Sequence, residues 1–242
     1  MNVDIWSDIV CPFCYIGKRR LENALAAFPH KEHVTINFKS FELDPNAPLY
    51  EGKTYAELLA KKYGMSEAQV KEMTSTMTEQ AAQVGLSFHF DDMKPTNTFD
   101  AHRLLKLAKS YGKEKDVKEE LFYAFFTEGK DVGNRATLAG IAETVGIDRT
   151  EAEQMLADEL QFANAVRADE REAQSYGVSG VPYFIFNNKY TVSGAQPEET
   201  FAGALQKVWE EEQAKSQLQD LSAGDAGMCA DGRCAVPEKD TQ

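Results

Sequence analysis

The sequence predicts an α/β fold interrupted by an all-helical segment, and three patterns support this prediction. Residues 2–6 and 34–43 alternate apolar and polar side chains with the period of a β-strand, and a stretch of helical period separates them. From about residue 54 to residue 176 the apolar residues recur at helical spacing almost throughout. Strand character returns at 181–194, where two short apolar runs flank a turn. A βαβ unit and a late hairpin therefore enclose an inserted all-helical domain.

Capping and stop signals set the ends of the predicted helices. Proline is favoured at the first position of a helix, so Pro12 begins the first helix, which continues to Phe28. Ser66 and Gln69 form a capping box, and Gly85 follows the apolar stripe that this box opens. Within the insertion we expect helices over 66–84, 97–111, 115–127, 134–145 and 150–175, and a closing helix begins near Pro197.

The change of period predicts three parts of the chain. Residues 1–50 and 177–214 form a discontinuous α/β domain, and residues 51–176 form the helical insertion. Residues 215–242 are small and polar, which predicts a flexible C-terminal tail.

The composition restricts the partners and the location of the protein. Of its 242 residues 43% are hydrophobic, which is enough to bury a core without disulfide staples. Acidic residues outnumber basic ones by 39 to 26, and the net charge of −13 repels nucleic acid and anionic membrane surfaces. The first residues lack the pattern of a secretory signal, and no apolar run is long enough to span a bilayer. These features predict a cytoplasmic protein with no nucleic-acid or membrane partner.

Two cysteines, Cys11 and Cys14, follow the first predicted strand in the stretch CPFC. With Pro12 at the first helical position, Cys11 becomes the N-cap and Cys14 the third residue of the helix. The free N–H groups of the first turn and the positive end of the helix dipole favour a thiolate at Cys11. Cys14 lies one turn further on, on the same face and within disulfide range. The motif predicts a redox pair in which Cys11 attacks and Cys14 resolves.

A single CxxC is also half of a common zinc site, so the motif alone leaves metal binding open. Its position at the first turn of a βαβ unit favours redox chemistry. A second stretch, VSGVPYFIF at 178–186, places an apolar residue before Pro182 where a strand begins, and we predict that the Val181–Pro182 bond is cis. Such a turn beside the cysteines would present the backbone of Val181 to an extended substrate and keep a metal from the thiols.

The chain closely resembles the DsbA family of thioredoxin-fold oxidoreductases in VCPFC and GVPYF. It is similar to the FrnE-like branch of that family in WSDIVCPFCYIGKRRLE, TNTFDAHRLLKLA and VSGAQPEETF. The resemblance covers residues 1 to about 210. It implies a thioredoxin-like fold with an inserted all-helical domain, with Cys11 as the attacking thiol, Cys14 as its partner and Pro182 as the cis-proline. We predict neither a cofactor nor a resident metal.

Kappa-class glutathione transferases and 2-hydroxychromene-2-carboxylate isomerases belong to the same wider family and are similar to this chain in outline. They carry serine where Cys11 stands. Their glutathione contacts near the last helix include a Ser-Asp pair, whereas this chain has Gly194, Ala195 and Gln196. These differences favour dithiol chemistry, and a glutathione-linked isomerase or transferase is kept as an alternative.

Cys229 and Cys234 form a second pair, in a CxxxxC stretch of the tail. Some FrnE-like proteins resemble this chain in carrying such a pair. Asp231 and Gly232 favour a tight turn that brings the two sulfurs together, so we predict an auxiliary redox pair that exchanges with the active-site cysteines. The alternatives are two exposed thiols without a partner and a zinc site that joins all four cysteines.

Four further residues are candidates for substrate contacts. Trp6 and Phe13 are expected to be apolar neighbours of the thiols, and the resemblance places the helix of Asn97 and His102 over the cleft. The leading hypothesis is a cytoplasmic thiol–disulfide oxidoreductase or isomerase. Its partners would be proteins or small molecules with a disulfide or dithiol, and a cellular thiol redox partner. A zinc-dependent binding module is the alternative from another class. The sequence does not fix the direction of electron flow, the substrate or the oligomeric state.

Overall fold

The computed structural model describes residues 1–216, and its centre is a four-stranded mixed sheet. The strands are β1 (Asn2–Ser7), β2 (Thr35–Ser40), β3 (Tyr183–Phe186) and β4 (Tyr190–Ser193). Their order in the sheet is β2-β1-β3-β4. β1 and β2 run parallel, while β3 is antiparallel to both β1 and β4. The predicted βαβ unit and late hairpin therefore join in one sheet through the β1–β3 pair.

Two helices belong to the sheet. Helix α1 (Pro12–Ala27) connects β1 to β2, and helix α9 (Glu198–Ser216) follows β4 and packs against α1. Alternate residues of the strands point into the layer between sheet and helices, which is why they are apolar. This cluster includes Val3, Ile5, Leu21, Phe184, Phe201 and Leu205.

Seven helices lie between β2 and β3. They are α2 (Tyr55–Tyr63), α3 (Glu67–Ala82), α4 (Phe99–Ser110), α5 (Glu114–Phe126), α6 (Arg135–Thr144), α7 (Arg149–Ala157) and α8 (Ala163–Ser175). Their apolar faces form the largest buried cluster, which also contains Ile9, Cys11, Cys14 and Ile16. The N-terminal turn of α1 therefore packs on the insertion rather than on the sheet alone. The proposed domain boundaries at residues 51 and 176 stay a prediction, and this cluster crosses them.

The structure corrects one helix boundary: the predicted helix 150–175 is two helices, α7 and α8. A buried arginine of α4, Arg103, explains the break. Its Nε donates to the Gln161 carbonyl (2.8 Å), and its Nη2 donates to the carbonyls of Met155 (2.7 Å) and Asp158. Carbonyls at the end of a helix need such donors, and a guanidinium supplies several in a fixed fork. Nothing in the local sequence reveals a partner that lies more than fifty residues away.

Two further differences lie at the start of the insertion. β2 ends at Ser40, not at residue 43 as predicted, because the Leu43 N–H donates to the Asp8 carboxylate (2.8 Å) instead of continuing a ladder. The prediction also named no separate helix at Tyr55–Tyr63. Its signal was present, since Thr54 and Glu57 form a capping box and Gly64 ends the helix at φ 64°.

Arg167 of helix α8 binds two carboxylates, and one of them, Glu42, belongs to the loop after β2. The Glu42 side chain is fully buried, and it accepts a hydrogen bond from Arg167 Nη1, which also donates to Glu170 (2.7 Å). One buried oxygen of each carboxyl group has no partner among the described residues. Burial raises the pKa of Glu42 to about 7; Arg167 opposes this rise and the neighbouring Glu170 adds to it.

This raised pKa predicts a pH dependence of stability. The folded chain holds the Glu42 proton more tightly than the unfolded chain does, for which the ordinary value is 4.5. We therefore expect the Glu42 contribution to the free energy of unfolding to decline as the pH rises from about 4.5 to about 7. Urea unfolding at a series of pH values measures it. Glu42→Gln should flatten the slope relative to wild type, whereas Glu172→Gln, which changes a more exposed carboxyl group on α8, should keep it. Identical slopes in Glu42→Gln and wild type would contradict the prediction.

Candidate active site

Cys11 lies where β1 has ended and α1 begins. Its backbone is extended (φ −93°, ψ 111°), and Pro12 takes the first helical position, so the predicted N-cap placement of Cys11 is confirmed. The thiol is 4% exposed and donates to the Val181 carbonyl oxygen (Sγ···O 3.6 Å). Cys11 therefore stands at the N-terminal end of α1, and its side chain makes no capping hydrogen bond to the first turn.

Cys14 lies in the first turn of α1, deeper than Cys11. Its N–H donates to the Cys11 carbonyl (3.0 Å), and its side chain is 1% exposed. Burial raises the pKa of Cys14 well above its ordinary value, and the hydrogen bond and charge of Cys11 raise it further. Cys14 therefore keeps its proton while Cys11 is free, which suits a thiol that acts second.

The loop before β3 forms the wall opposite Cys11. The Val181–Pro182 peptide bond is cis, as predicted. Gly17 of α1 faces this loop: a Cβ at Gly17 would lie 3.1 Å from Pro182 Cγ and 3.3 Å from the Phe184 ring. The absence of a side chain at residue 17 therefore allows α1 and the loop to approach closely.

A buried carboxylate lies behind the cysteines. Asp8 is 1% exposed and accepts hydrogen bonds from the Ile9 N–H (2.7 Å), the Leu43 N–H (2.8 Å) and His102 Nε2 (3.3 Å). Burial raises the pKa of Asp8, but the His102 hydrogen bond and charge and the bonds from Leu43 and Thr98 outweigh it, so the pKa lies below the ordinary value. For His102, burial is the stronger effect and lowers its pKa. The pair is thus an ionised carboxylate held by a neutral imidazole.

Lys118 of α5 is a second buried charge, and it lies over the ring of Phe122, which stacks on Tyr15, the residue after Cys14. Lys118 is 1% exposed, and its Nζ lies 4.8 Å from the centre of the Phe122 ring. Among the described residues Nζ has no hydrogen-bond partner. Burial lowers the pKa of Lys118 to about 8, against the attraction of Cys14, Asp8 and Glu114.

A cleft of about 900 Å³ opens beside Cys11. One wall is α1 and the Val181 loop, and the other is the loop after β2 together with α2. Five large apolar side chains, each at least 36% exposed, line it: Phe13, Leu43, Leu49, Leu58 and Tyr63. The mouth carries both signs of charge, including Glu51, Lys53, Glu57, Lys61 and Lys62. An exposed apolar surface of this kind is typical of a binding site.

The structure places Phe13 and Val181 in this cleft, and it corrects three other predicted contacts. Trp6 is wholly buried, its indole N–H donates to the Asp169 carbonyl (3.0 Å), and it is not part of the cleft lining. His102 is also wholly buried and absent from the lining, and it bonds to two residues that line the cleft, Asp8 and Thr98. Asn97 is absent from the lining; its amide donates to the Ala47 carbonyl (3.2 Å). Asn97 therefore holds the cleft loop in place rather than contacting a substrate.

Sequence reasoning missed three residues at the site. Asp8 stands three positions before Cys11, and this short distance in the sequence could have identified it as a residue of the site. Tyr55 lines the cleft from helix α2. The capping box of Thr54 and Glu57 could have predicted that helix. Lys118 had no signal, because only the packing of α5 against α1 brings its charge near Cys14.

Cys229 and Cys234 lie outside the described residues, so the predicted auxiliary pair stays a prediction. Within residues 1–216, no group of three or more His, Cys, Asp or Glu side chains is arranged to hold a metal ion. In the same part of the chain, no helix is long and apolar enough to cross a bilayer.

Comparison with known proteins agrees with this architecture. A probable DsbA oxidoreductase from Streptomyces coelicolor is 41% identical, and its crystal structure superposes with a TM-score of 0.84 over 98% of this chain and 100% of that chain. The uncharacterized protein YwbO of Bacillus subtilis (strain 168) is 26% identical over 207 residues, which are 85% of this chain and 96% of YwbO.

A third comparison concerns the alternative function. The structure of a 2-hydroxychromene-2-carboxylate isomerase is 17% identical, with a TM-score of 0.65 over 90% of this chain and 100% of that chain. At this identity the match supports the fold alone. The family model described as the DSBA-like thioredoxin domain matches residues 2–206. The predicted thioredoxin-like fold is confirmed, and this chain belongs to the DSBA-like thioredoxin domain family.

Proposed function

We propose that this protein is a cytoplasmic thiol–disulfide oxidoreductase and isomerase of the FrnE-like branch, with Cys11 as the attacking thiol and Cys14 as the resolving thiol. One observation carries the proposal: Cys11 caps α1 at the edge of a large cleft, whereas Cys14 is sealed beneath it. A nucleophile has to meet its substrate, and a resolving thiol has to be kept from it.

The reaction follows from this difference in access. The Cys11 thiolate attacks one sulfur of a substrate disulfide, so that a Cys11–substrate bond forms and the second substrate sulfur leaves as a thiolate. Cys14 then loses its proton and attacks the Cys11 sulfur, which releases the first substrate sulfur as a thiol and leaves a Cys11–Cys14 disulfide. The reverse sequence oxidises a substrate dithiol. Release without resolution, when a neighbouring substrate thiol displaces Cys11, isomerises the substrate.

The cleft supports polypeptide substrates. Leu49 and Tyr63 are 62% and 58% exposed beside the thiol, an arrangement that suits apolar side chains of an unfolded segment. Val181 and its carbonyl lie against Cys11, where an extended backbone can run past the reacting sulfur. We propose that the substrate chain binds along this wall, with its disulfide at Cys11.

The auxiliary role of Cys229 and Cys234 is part of the proposal. The C-terminal end of α9 lies at the start of β1, because Glu212 contacts the Met1 amino group (3.5 Å) and the Asn187 amide (2.6 Å). Cys11 follows the other end of β1, roughly 20 Å away for a strand of this length. The 13 residues from 216 to 229 can span at most roughly 45 Å. The chain length therefore permits exchange within one molecule.

The reduction potential of the Cys11–Cys14 pair tests the proposal. It is measured against glutathione buffers in the intact chain and in a Cys229→Ser, Cys234→Ser variant. We expect one two-electron couple above the cytosolic glutathione pool, which lies at roughly −220 to −260 mV by extraction, in the variant, and the same couple together with a second one from Cys229 and Cys234 in the intact chain. Reactivation of a scrambled disulfide protein should accompany it.

Each other outcome has a distinct meaning. A couple at or below the pool contradicts the isomerase role and indicates a reductase. The absence of a couple, or stoichiometric zinc on protein purified without added metal, overturns the redox assignment and favours the binding module. A stable glutathione complex that survives replacement of Cys11 would favour the glutathione-linked alternative. The cytoplasmic location would be contradicted if the protein were active when it is expressed with a secretion signal and inactive when it is expressed in the cytosol.

A further inference from the structure

We propose that Lys118, a residue of the helical insertion, supplies the positive charge that stabilises the Cys14 thiolate while Cys14 resolves the mixed disulfide. This inference rests on the proposed function, because it assigns a role within the second half of that reaction. Lys118 is a positioning residue, since it acts through Cys14 rather than on the substrate.

The resolving step poses an electrostatic problem that the burial of Cys14 creates. Cys14 must become an anion to attack, yet it is 1% exposed and its burial is the largest cause of its raised pKa. In the mixed disulfide Cys11 is a neutral sulfur, so its own effect on Cys14 is removed and the cost of burial remains. An anion in such a pocket needs a nearby cation or donors.

Most groups around Cys14 do not supply that cation. Asp8 is an anion, although its backbone N–H favours the Cys14 thiolate. His102 is held neutral by burial and donates to Asp8. Glu114 adds no positive charge, and the ammonium of Lys106 is paired with Asp169.

Lys118 differs from these groups in two ways. Its Nζ is buried without a hydrogen-bond partner among the described residues, so no hydrogen bond takes up its charge, although Asp8 and Glu114 also attract it. The attraction is also mutual: Lys118 lowers the pKa of Cys14, and Cys14 raises that of Lys118. A buried lysine without a partner is costly to the fold, which argues for a use other than stability.

The step is balanced without any further reactant. The Cys14 S–H bond breaks, a Cys14–Cys11 S–S bond forms, and the Cys11–substrate S–S bond breaks. The electron pair of the broken S–S bond leaves with the substrate sulfur. The proton that Cys14 loses passes to the leaving thiolate of an aliphatic substrate, or to solvent when the leaving thiolate is a weak base, and Lys118 keeps its charge throughout.

A two-step assay tests the inference in the chain that carries Cys229→Ser and Cys234→Ser. The substrate is an aromatic disulfide whose thiolate is coloured: attack by Cys11 releases the first thiolate, and resolution by Cys14 releases the second. In Lys118→Met we expect the second release at pH 7 to slow by at least about tenfold, the loss that follows from a one-unit rise in the Cys14 pKa. The pH midpoint of the second release should rise, and the first release should stay within about twofold.

Lys115→Met is the matched control. Lys115 has the same charge on the same helix but is 70% exposed, so neither release should change. If Lys118→Met does not fold, Lys118→Gln carries the same expectation. In a Cys11→Ser background, the thiolate absorbance of Cys14 should also titrate at higher pH once Lys118 is replaced.

The outcomes separate the two proposals. If the parent chain gives no first release, the proposed function fails. If the first release is normal and Lys118→Met leaves the rate and pH midpoint of the second unchanged, the charge role of Lys118 is overturned. Equal slowing of both releases would also overturn it, because it would indicate a general structural effect.

Discussion

Replacing Cys11 with serine should reduce disulfide exchange by at least about 10³-fold, to the rate of buffer alone, because a hydroxyl at this position is neither ionised nor able to form the mixed disulfide. The change is nearly isosteric at a residue that is 4% exposed, so the fold should persist. Turnover of a fluorescent disulfide peptide measures the loss, with circular dichroism as the check on folding.

Cys14→Ser is the matched control for this prediction. Cys11 is intact in this variant, so the first attack should proceed and the substrate should remain bound to Cys11. Mass spectrometry should show one substrate adduct per chain that is released by a reductant. An enzyme that turns over with Cys11→Ser, or an adduct on another residue, would contradict the assignment of Cys11 as the nucleophile.

Replacing Arg103 with methionine should produce the largest loss of stability, about 3–5 kcal/mol. The Arg103 side chain is wholly buried, and besides three carbonyls it binds the Asp100 carboxylate (2.7 Å). Removal of the guanidinium leaves the three carbonyls at the junction of α7 and α8, and the Asp100 charge, without this partner. Urea denaturation followed by circular dichroism measures the difference in the free energy of unfolding.

Arg135→Met gives the comparison for Arg103. Arg135 binds the other oxygen of the same carboxylate (2.8 Å), but its side chain is 48% exposed. Exposed ion pairs contribute little to the free energy of unfolding, so Arg135→Met should lower it by no more than about 1 kcal/mol. Similar losses in the two variants would show that the buried carbonyl contacts of Arg103 do not stabilise the α7–α8 junction.

The residues of the candidate active site come from two parts of the fold, the sheet with α1 and the helical insertion. The sheet and α1 supply the two cysteines and the cis-proline loop. The insertion supplies α2, which forms one wall of the cleft, and the buried groups His102 and Lys118. If the proposed function holds, both the shape of the cleft and the charges around Cys14 therefore depend on the insertion, which offers a way to change specificity while Cys11 and Cys14 stay the same.

The sequence by itself determined the features that depend on neighbouring residues. Pro12 and the preceding strand were enough to place Cys11 at the helix cap, because capping preferences act within one turn. The cis bond at Pro182 followed from the residue type and its position before a strand. The four strands and most of the helices followed from the period of their apolar residues, since each element buries one face.

Only the tertiary structure decided the features that depend on distant partners. Trp6 and His102 were expected at the cleft, but side chains of neighbouring elements cover both of them completely. The break between α7 and α8 depends on Arg103, and the charge beside Cys14 depends on Lys118 of another helix. The period of the apolar residues indicates which face of an element is buried, and a cap indicates where a helix begins or ends. Neither indicates which other element covers the buried face. This is why the cap position of Cys11 and the cis bond at Pro182 were predictable and their buried surroundings were not.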